Sequence, residues 1–120
     1  MIFIILNNRS LYDIAEDACD SSKVKRKMCA IIYNGNSIVS IGINRHYTLS
    51  SKHRSIFGLP YTSFHAEVDA ITKALRQEDS LRKMSIYIHR KGGKMAKPCH
   101  NCMSLLYHFG IYDISWSGKE

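Results

Sequence analysis

The chain has 120 residues, of which 45% are hydrophobic and 22% charged, and this length and composition predict one folded domain over residues 1–120 and exclude a disordered chain. The apolar segment 1–6 is too short to span a membrane and has neither the basic region nor the cleavage site of a signal peptide, so we expect no membrane partner. The formal net charge of +7 favours an anionic partner, and the four cysteines fit the reducing conditions of the cytoplasm.

The first half of the chain predicts one helix and one hairpin. Apolar residues recur at helical spacing over residues 10–22, which indicates an amphipathic helix. The β-rich segments Met28–Tyr33 and Ile38–Ile43 flank Asn34-Gly35-Asn36-Ser37, a sequence typical of hairpin turns. Residues 44–64 then show little periodicity, and a loop of this length in a small domain is usually functional.

The second half of the chain alternates helices with strands. From His65 to Leu75 the apolar residues recur every three or four positions, which predicts a helix that is buried on a broad face. A second helix is predicted from Pro98 to Phe109, and strands are predicted at Met84–His89 and Ile111–Trp116. The order α-β-β-α-β-α-β predicts an α/β fold in which a mixed sheet carries helices on both faces, with the last two helices side by side.

The charges are distributed unevenly along the chain. The ten acidic residues are confined to 13–20, 67–79, Asp113 and Glu120. Residues 21–66 and 80–112 therefore contain no acid and hold most of the basic residues, which favours a phosphate monoester or a nucleic-acid strand as the partner. A solvated basic surface without a binding role is the alternative. In the long loop, Arg45, Lys52 and Arg54 are candidates for contacts with phosphate or nucleic acid.

Two short motifs carry the chemistry. His65-Ala66-Glu67 places His65 and Glu67 in the first turn of one predicted helix, and Pro98 opens the helix on which Cys99 and Cys102 share a face. The His and the two Cys can hold one Zn²⁺ and leave its fourth position for water, while Glu67 is free to move protons. An H-x-E motif followed by P-C-x-x-C is the general signature of zinc-dependent base deaminases.

Other interpretations of these residues remain open. A structural zinc site would need a fourth protein ligand, for which Cys19, Cys29 and His100 are the candidates, and a lone C-x-x-C could form a redox pair. Glu67 could serve only to complement the positive end of a helix dipole. Cys19 and Cys29 otherwise suit the protein core.

From about residue 10 to residue 116 the chain resembles the cytidine deaminase-like superfamily, in particular the branch of deoxycytidylate and related nucleotide, tRNA and polynucleotide deaminases. The resemblance implies a three-layer α-β-α domain with a mixed sheet, in a minimal form with a short C-terminus. Two interpretations remain open at the sheet edge: a minimal deaminase, or a chain whose residues 1–6 or partner subunit complete the sheet. The matching segments are the Asn-Gly hairpin, Gly42-Ile43-Asn44, His65-Ala66-Glu67-Val68-Asp69-Ala70-Ile71, Pro98-x-x-x-Cys102 and Gly110-Ile111.

The resemblance implies one Zn²⁺ per chain with a bound water or hydroxide, and hydrolytic deamination of cytosine to uracil. The substrate would be phosphorylated, either a nucleotide of the CMP or dCMP type or a single-stranded nucleic acid, and the protein could form a homo-oligomer. Asn44 would bond the sugar, the backbone of Ala66 would hold the base, and Glu67 would carry protons.

Two aromatic residues are further candidates for contact with the base. Phe64 directly precedes the metal-binding helix and Trp116 ends the last strand, although aromatic residues at such positions commonly belong to the core. Two other functions remain alternatives: a tRNA adenosine deaminase, and a non-catalytic zinc module that binds nucleic acid. The intact set of His65, Glu67, Cys99 and Cys102 favours catalysis.

Overall fold

A computed structural model of the protein describes residues 5–6, 9–46 and 63–118. The main elements follow the predicted order and lie within a few residues of the predicted bounds. They are helix α1 (Leu11–Ala18) with a short 3₁₀ turn (Cys19–Ser21), strands β3 (Met28–Asn34) and β4 (Ser37–Ile43), helix α2 (Ala66–Leu75), strand β7 (Ser85–Arg90), a second 3₁₀ turn (Lys91–Gly93), helix α3 (His100–His108) and strand β8 (Asp113–Trp116).

Four short strands form two separate ribbons. Strands β1 (Ile5–Leu6) and β2 (Arg9–Ser10) pair with each other, as do β5 (Arg45–His46) and β6 (Ser63–Phe64). The interpretation that residues 1–6 complete the main sheet is not supported by β1, because its partner among the described residues is β2, two residues further along the chain.

The main sheet is mixed, as predicted, with the strand order β4-β3-β7-β8. Strand β3 pairs antiparallel with both β4 and β7, while β7 and β8 run parallel. The predicted strand at 111–116 begins only at Asp113, because Gly110 ends α3 with a φ of +80° and the N–H of Ile111 donates to the carbonyl of Leu106 over 3.0 Å. None of the helices in the described part of the chain has the length and apolar character needed to cross a membrane.

The two faces of the sheet bury separate clusters. Alternate residues of a strand point to opposite faces, so Ala30 and Ile32 of β3 pack with α2 and α3, whereas Cys29 and Ile31 pack with α1. This arrangement confirms the three-layer α/β fold, with α2 and α3 together on one face.

A glycine sets the close approach of α2 to β4. A Cβ atom added at Gly42 would lie 2.3 Å from the backbone N of Ala70 and 2.5 Å from the carbonyl O of Ala66. Next to this contact the hydroxyl of Ser40 donates to the Ala70 carbonyl over 2.8 Å. The position of the first turn of α2 therefore depends on the absence of a side chain at residue 42.

Helix α1 is joined to the opposite face through a buried histidine. His89 is fully buried, and its Nε2 lies 2.7 Å from Oε1 of Glu16, while its Nδ1 lies 2.9 Å from the hydroxyl of Tyr87. The N–H of Gly92 also donates to Oε1 of Glu16 over 2.9 Å. The hydrogen bond with His89 and then that with Gly92 lower the pKa of Glu16, although desolvation opposes them.

Candidate active site

The two predicted motifs lie at the starts of α2 and α3. His65 has an extended backbone conformation and is the N-cap of α2, and its carbonyl accepts from the N–H of Asp69 over 3.1 Å. Cys99 is the N-cap of α3, where its Sγ accepts from the N–H of Cys102 over 3.5 Å. The prediction that His65 lies in the first helical turn is wrong by one residue, since a cap residue has extended rather than helical dihedrals. The prediction that α3 opens at Pro98 is wrong by two residues, because the helix begins at His100.

The side chains of His65, Cys99 and Cys102 meet at one point. Their candidate ligand atoms all lie within 4.8 Å of one another. Nδ1 of His65 is 3.3 Å from Sγ of Cys102 and 3.9 Å from Sγ of Cys99. A tetrahedral Zn²⁺ at ordinary bond lengths needs N···S separations of about 3.6 Å, so the observed distances bracket the required value.

The protonation preference of His65 fits a zinc ligand, whereas that of Cys102 depends on the metal. Burial lowers the pKa of His65 and so favours the neutral imidazole that a metal requires. Burial, followed by the nearby Glu67 carboxylate, raises the pKa of the Cys102 thiol. A bound Zn²⁺ reverses this effect, because a coordinating thiol is deprotonated outright.

Glu67 is buried beside the three candidate ligands, with 3% of its surface exposed. Its burial raises the pKa of the carboxyl group, while hydrogen bonding that includes the Cys102 thiol acts in the opposite direction. An acidic residue is rarely buried without a partner or a function.

A cavity of about 340 Å³ opens onto this cluster. A volume of that order is typical of small-molecule sites. Five predicted residues line it: Asn44, His65, Ala66, Glu67 and Cys99. Residues that sequence reasoning did not assign to the site complete the wall: Val24, Arg26, Met28, Met95, Ala96 and Lys97.

Asn44 lines the cavity and fastens the segment that forms one wall. Its Oδ1 accepts from the N–H of Met28 over 2.9 Å and from the hydroxyl of Ser22 over 2.8 Å. Its Nδ2 donates to the carbonyl of Arg26 over 2.6 Å. The predicted contact of Asn44 with a sugar stays a prediction. The sequence alone left open that Asn44 is only a structural residue at the end of a strand, and these hydrogen bonds give its side chain a structural role.

Arg45 is engaged with another side chain. Its guanidinium forms an ion pair with the buried carboxylate of Asp69, which also accepts from Lys73 over 2.9 Å and from the N–H of Ile43 over 3.0 Å. The charge of Arg45 therefore compensates a buried acid, although half of the side chain stays exposed.

Of the remaining predicted contact residues, the structure describes the side chain of Trp116 alone. Trp116 is half-buried and packs against the core cluster on the helix α2 and α3 face, and it does not line the cavity that the described residues form. The backbone of Phe64 pairs with Arg45, and its side chain lies outside the described residues, as do Lys52 and Arg54.

A His-Cys-Cys donor set beside a buried glutamate, at the starts of two helices on a mixed sheet, is the arrangement of the cytidine deaminase-like zinc domains. The family model for the cytidine and deoxycytidylate deaminase zinc-binding region matches residues 7–117, and the chain belongs to this family. The family predicted from the two motifs is thus confirmed. No curated protein sequence matches the chain significantly.

Solved structures with the same fold include the dCMP deaminase of the cyanophage S-TIM5. Its complex with dCMP and dUMP has a TM-score of 0.65 and 18% sequence identity, and the match covers 88% of this chain and 76% of that chain. The apo form of the same enzyme gives a TM-score of 0.60 at 17% identity, over 88% and 81% of the two chains. A diaminohydroxyphosphoribosylaminopyrimidine deaminase/5-amino-6-(5-phosphoribosylamino)uracil reductase of Thermotoga maritima gives 0.57 at 18% identity, over 87% of this chain and 27% of that chain.

Proposed function

We propose that the protein removes the amino group of a cytosine base by hydrolysis, converting C to U, in a phosphorylated substrate. The observation that carries this proposal is the buried Glu67 carboxyl beside the His65, Cys99 and Cys102 cluster, at the wall of a cavity. A structural zinc site has no use for a buried, proton-transferring acid next to an open cavity, whereas a hydrolytic deaminase needs one.

His65, Cys99 and Cys102 would hold a single zinc ion, and Lewis-acid activation of the attacking water is the chemistry that the metal supplies when bound. Three protein ligands leave a fourth position for a non-protein ligand, which is the pattern of catalytic rather than structural zinc sites.

Glu67 would carry the protons of the reaction. It accepts one proton from the attacking water as the water oxygen bonds to C4 of cytosine, and it delivers this proton to N3. It then takes the remaining proton from the new hydroxyl group on C4 and delivers it to the departing amine, while the C4 oxygen becomes the carbonyl of uracil. The C4–N bond then breaks, and ammonia and the uracil base are the products. The raised pKa of Glu67 suits this double role, because the driving force for taking and giving a proton is then more evenly balanced.

The cavity wall supports a phosphorylated cytosine nucleotide as substrate. Arg26 and Lys97 place positive charge at its rim, and Val24, Met28 and Met95 provide apolar surface for a base. We also propose a cytoplasmic location, which is supported by the four free thiols of the chain.

Mass spectrometry of zinc-loaded protein with a panel of substrates tests the proposal: cytidine, CMP, dCMP, single-stranded DNA, RNA and tRNA. We expect CMP or dCMP to be deaminated and unphosphorylated cytidine to react poorly. The matched control is Glu67→Gln, which keeps the size and hydrogen-bonding geometry of the side chain and removes the proton acceptor. Its turnover should fall by about 10²–10⁴-fold, the usual contribution of a general acid or base, with zinc content unchanged.

Two results would contradict the proposal. If no cytosine substrate were converted while adenosine in tRNA became inosine, hydrolytic deamination would stand but cytosine would be the wrong base. If Glu67→Gln retained the wild-type rate, Glu67 would not be the proton carrier.

A further inference from the structure

A second cleft, of about 290 Å³, lies beside the candidate active site and is lined entirely by cationic residues. It is formed by the segment before β3, the end of β7 and the turn that follows β7. We refer to it as the basic cleft, and its lining residues are Lys25, Arg26, Lys27, Arg90, Lys91 and Lys94.

The basic cleft adjoins the active-site cavity. Arg26 lines both of them. The two walls are joined by backbone contacts, because the N–H of Lys91 donates to the carbonyl of Lys27 over 3.0 Å and Met28 pairs with Arg90 between β3 and β7. The cations are therefore held close together by the sheet itself.

Most of this positive charge is not neutralised by the protein. Lys91 pairs with Glu16 at 3.3 Å and with Asp20 at 3.0 Å. In the part of the chain that the structure describes, no acidic side chain pairs with the other cations of the cleft: Lys25, Arg26, Lys27, Arg90 and Lys94. Like charges in a shared cleft repel one another and attract a polyanion, so the arrangement favours a ligand with several negative charges.

The lining also indicates which part of a ligand would bind. Neither an aromatic nor an apolar side chain is among the described residues that line the basic cleft, so it offers no surface on which a base could stack. The cleft would therefore hold no base, whereas phosphate groups need only the Lys and Arg side chains that are present.

We propose that the basic cleft binds the phosphates next to the target cytidine in a single-stranded nucleic acid. The proposal rests on the proposed function, since it takes the cytosine to enter the neighbouring cavity. A strand whose cytosine occupies that cavity would pass Arg26 and continue along Lys25, Arg90 and Lys94.

Binding can be measured apart from catalysis by fluorescence anisotropy, with a labelled single-stranded DNA that contains one cytosine and with protein carrying Glu67→Gln. The test variant adds Lys25→Gln, Arg90→Gln and Lys94→Gln, none of which lines the active-site cavity. We expect the dissociation constant to rise at least about tenfold near 0.1 M salt, and the log–log salt slope to fall by about two, at about 0.7 per phosphate contact on a single strand.

The matched control carries the same charge change elsewhere, as Arg76→Gln, Arg82→Gln and Lys83→Gln. Arg76 caps the far end of α2, about 15 Å along the helix axis from its first turn, and the other two precede the start of β7. We expect the control to weaken binding by less than about threefold, because it alters only the long-range field. Equal losses in both variants, or no loss in the test variant, would overturn the proposal.

Kinetics with the active enzyme separate the possible sources of phosphate. The kinetic test uses protein that keeps the wild-type Glu67. The triple variant Lys25→Gln, Arg90→Gln and Lys94→Gln should raise KM for the oligonucleotide about tenfold or more and leave KM for dCMP unchanged within about twofold. If the triple variant raised KM for dCTP and not for the oligonucleotide, the cleft would bind a polyphosphate tail. That result would contradict the proposal that it binds a nucleic-acid strand. Cleft-dependent binding without turnover of any cytosine substrate would support the nucleic-acid cleft and contradict the deaminase function.

Discussion

Gly42→Ala should disturb the candidate active site although residue 42 does not line it. The added methyl group would lie 2.3 Å from the backbone N of Ala70 and 2.5 Å from the carbonyl O of Ala66. Non-bonded heavy atoms normally approach to about 3.5 Å, so β4 and α2 must separate by about 1 Å. Both neighbours are backbone atoms of a buried helix and cannot rotate away.

Two effects should follow from this separation. Overpacking of a buried contact typically lowers the free energy of unfolding by about 1–3 kcal/mol. His65 is the N-cap of α2 and Glu67 lies in its first turn, and a displacement of about 1 Å at catalytic groups can cost about 10²-fold in rate. We therefore expect Gly42→Ala to lower the urea midpoint, weaken zinc binding and reduce deamination together.

Gly35→Ala is the matched control for this experiment. Gly35 lies in the β3–β4 turn with a φ of +61°, and an added Cβ there meets no atom within 4 Å. Its substitution should cost about 1 kcal/mol through backbone strain alone and should leave zinc affinity unchanged. Urea denaturation and zinc titration with a competing chelator measure both quantities. If Gly42→Ala kept the wild-type midpoint and zinc affinity, the close helix-sheet contact would not position the site.

Three further substitutions test separate parts of the molecule. Cys99→Ala should lose zinc, as measured by elemental analysis, and should have a lower Tm, because assembly of the site contributes folding energy. A full complement of zinc in this variant would refute the assignment of Cys99 as a ligand. Asn44→Ala removes three hydrogen bonds to the cavity wall and should lower the free energy of unfolding in urea by about 2–3 kcal/mol, at about 1 kcal/mol each, so an unchanged value would show that the wall is held by other contacts. Glu16→Gln should destabilise the protein in a pH-dependent way. The pKa of Glu16 is lowered in the folded state, so its carboxylate stabilises the fold above its unfolded pKa of about 4.3 and this contribution is lost as the pH falls further. Urea midpoints of wild type and Glu16→Gln should therefore differ most above about pH 5 and converge in acid, and a gap that widened in acid would be inconsistent with this account.

The elements that the sequence predicted well are those whose signals are local. The Asn34-Gly35 turn carries the left-handed conformation that a tight hairpin needs, and the structure has a φ of +61° at Gly35. The two metal motifs each combine a helix start with side chains of specific chemistry, so their meeting could be inferred once both helices were placed on one face of the sheet. Gly110 ended its helix for the same local reason.

The features that were missed depend on contacts between distant segments. Nothing near Arg45 in the chain indicates that its charge pairs with Asp69, twenty-four positions away. The side chain of Asn44 bonds the main chain of Arg26 and Met28. The sequence of that segment shows only a run of basic residues and does not indicate these bonds. For Trp116 the sequence left both base contact and the core open, and the parallel pairing of β8 with β7 places it against the core.

The way in which Asn44 holds the cavity wall has a consequence for how new specificities could arise in this fold. Its hydrogen bonds reach the main chain of Arg26 and Met28 and leave their side chains uninvolved. Met28 also packs against the core, whereas Val24 and Arg26 belong to neither core cluster. A combinatorial library at Val24 and Arg26, screened for altered base or sugar preference, would therefore vary the lining of the pocket and keep the main-chain bonds of Asn44 that hold its wall.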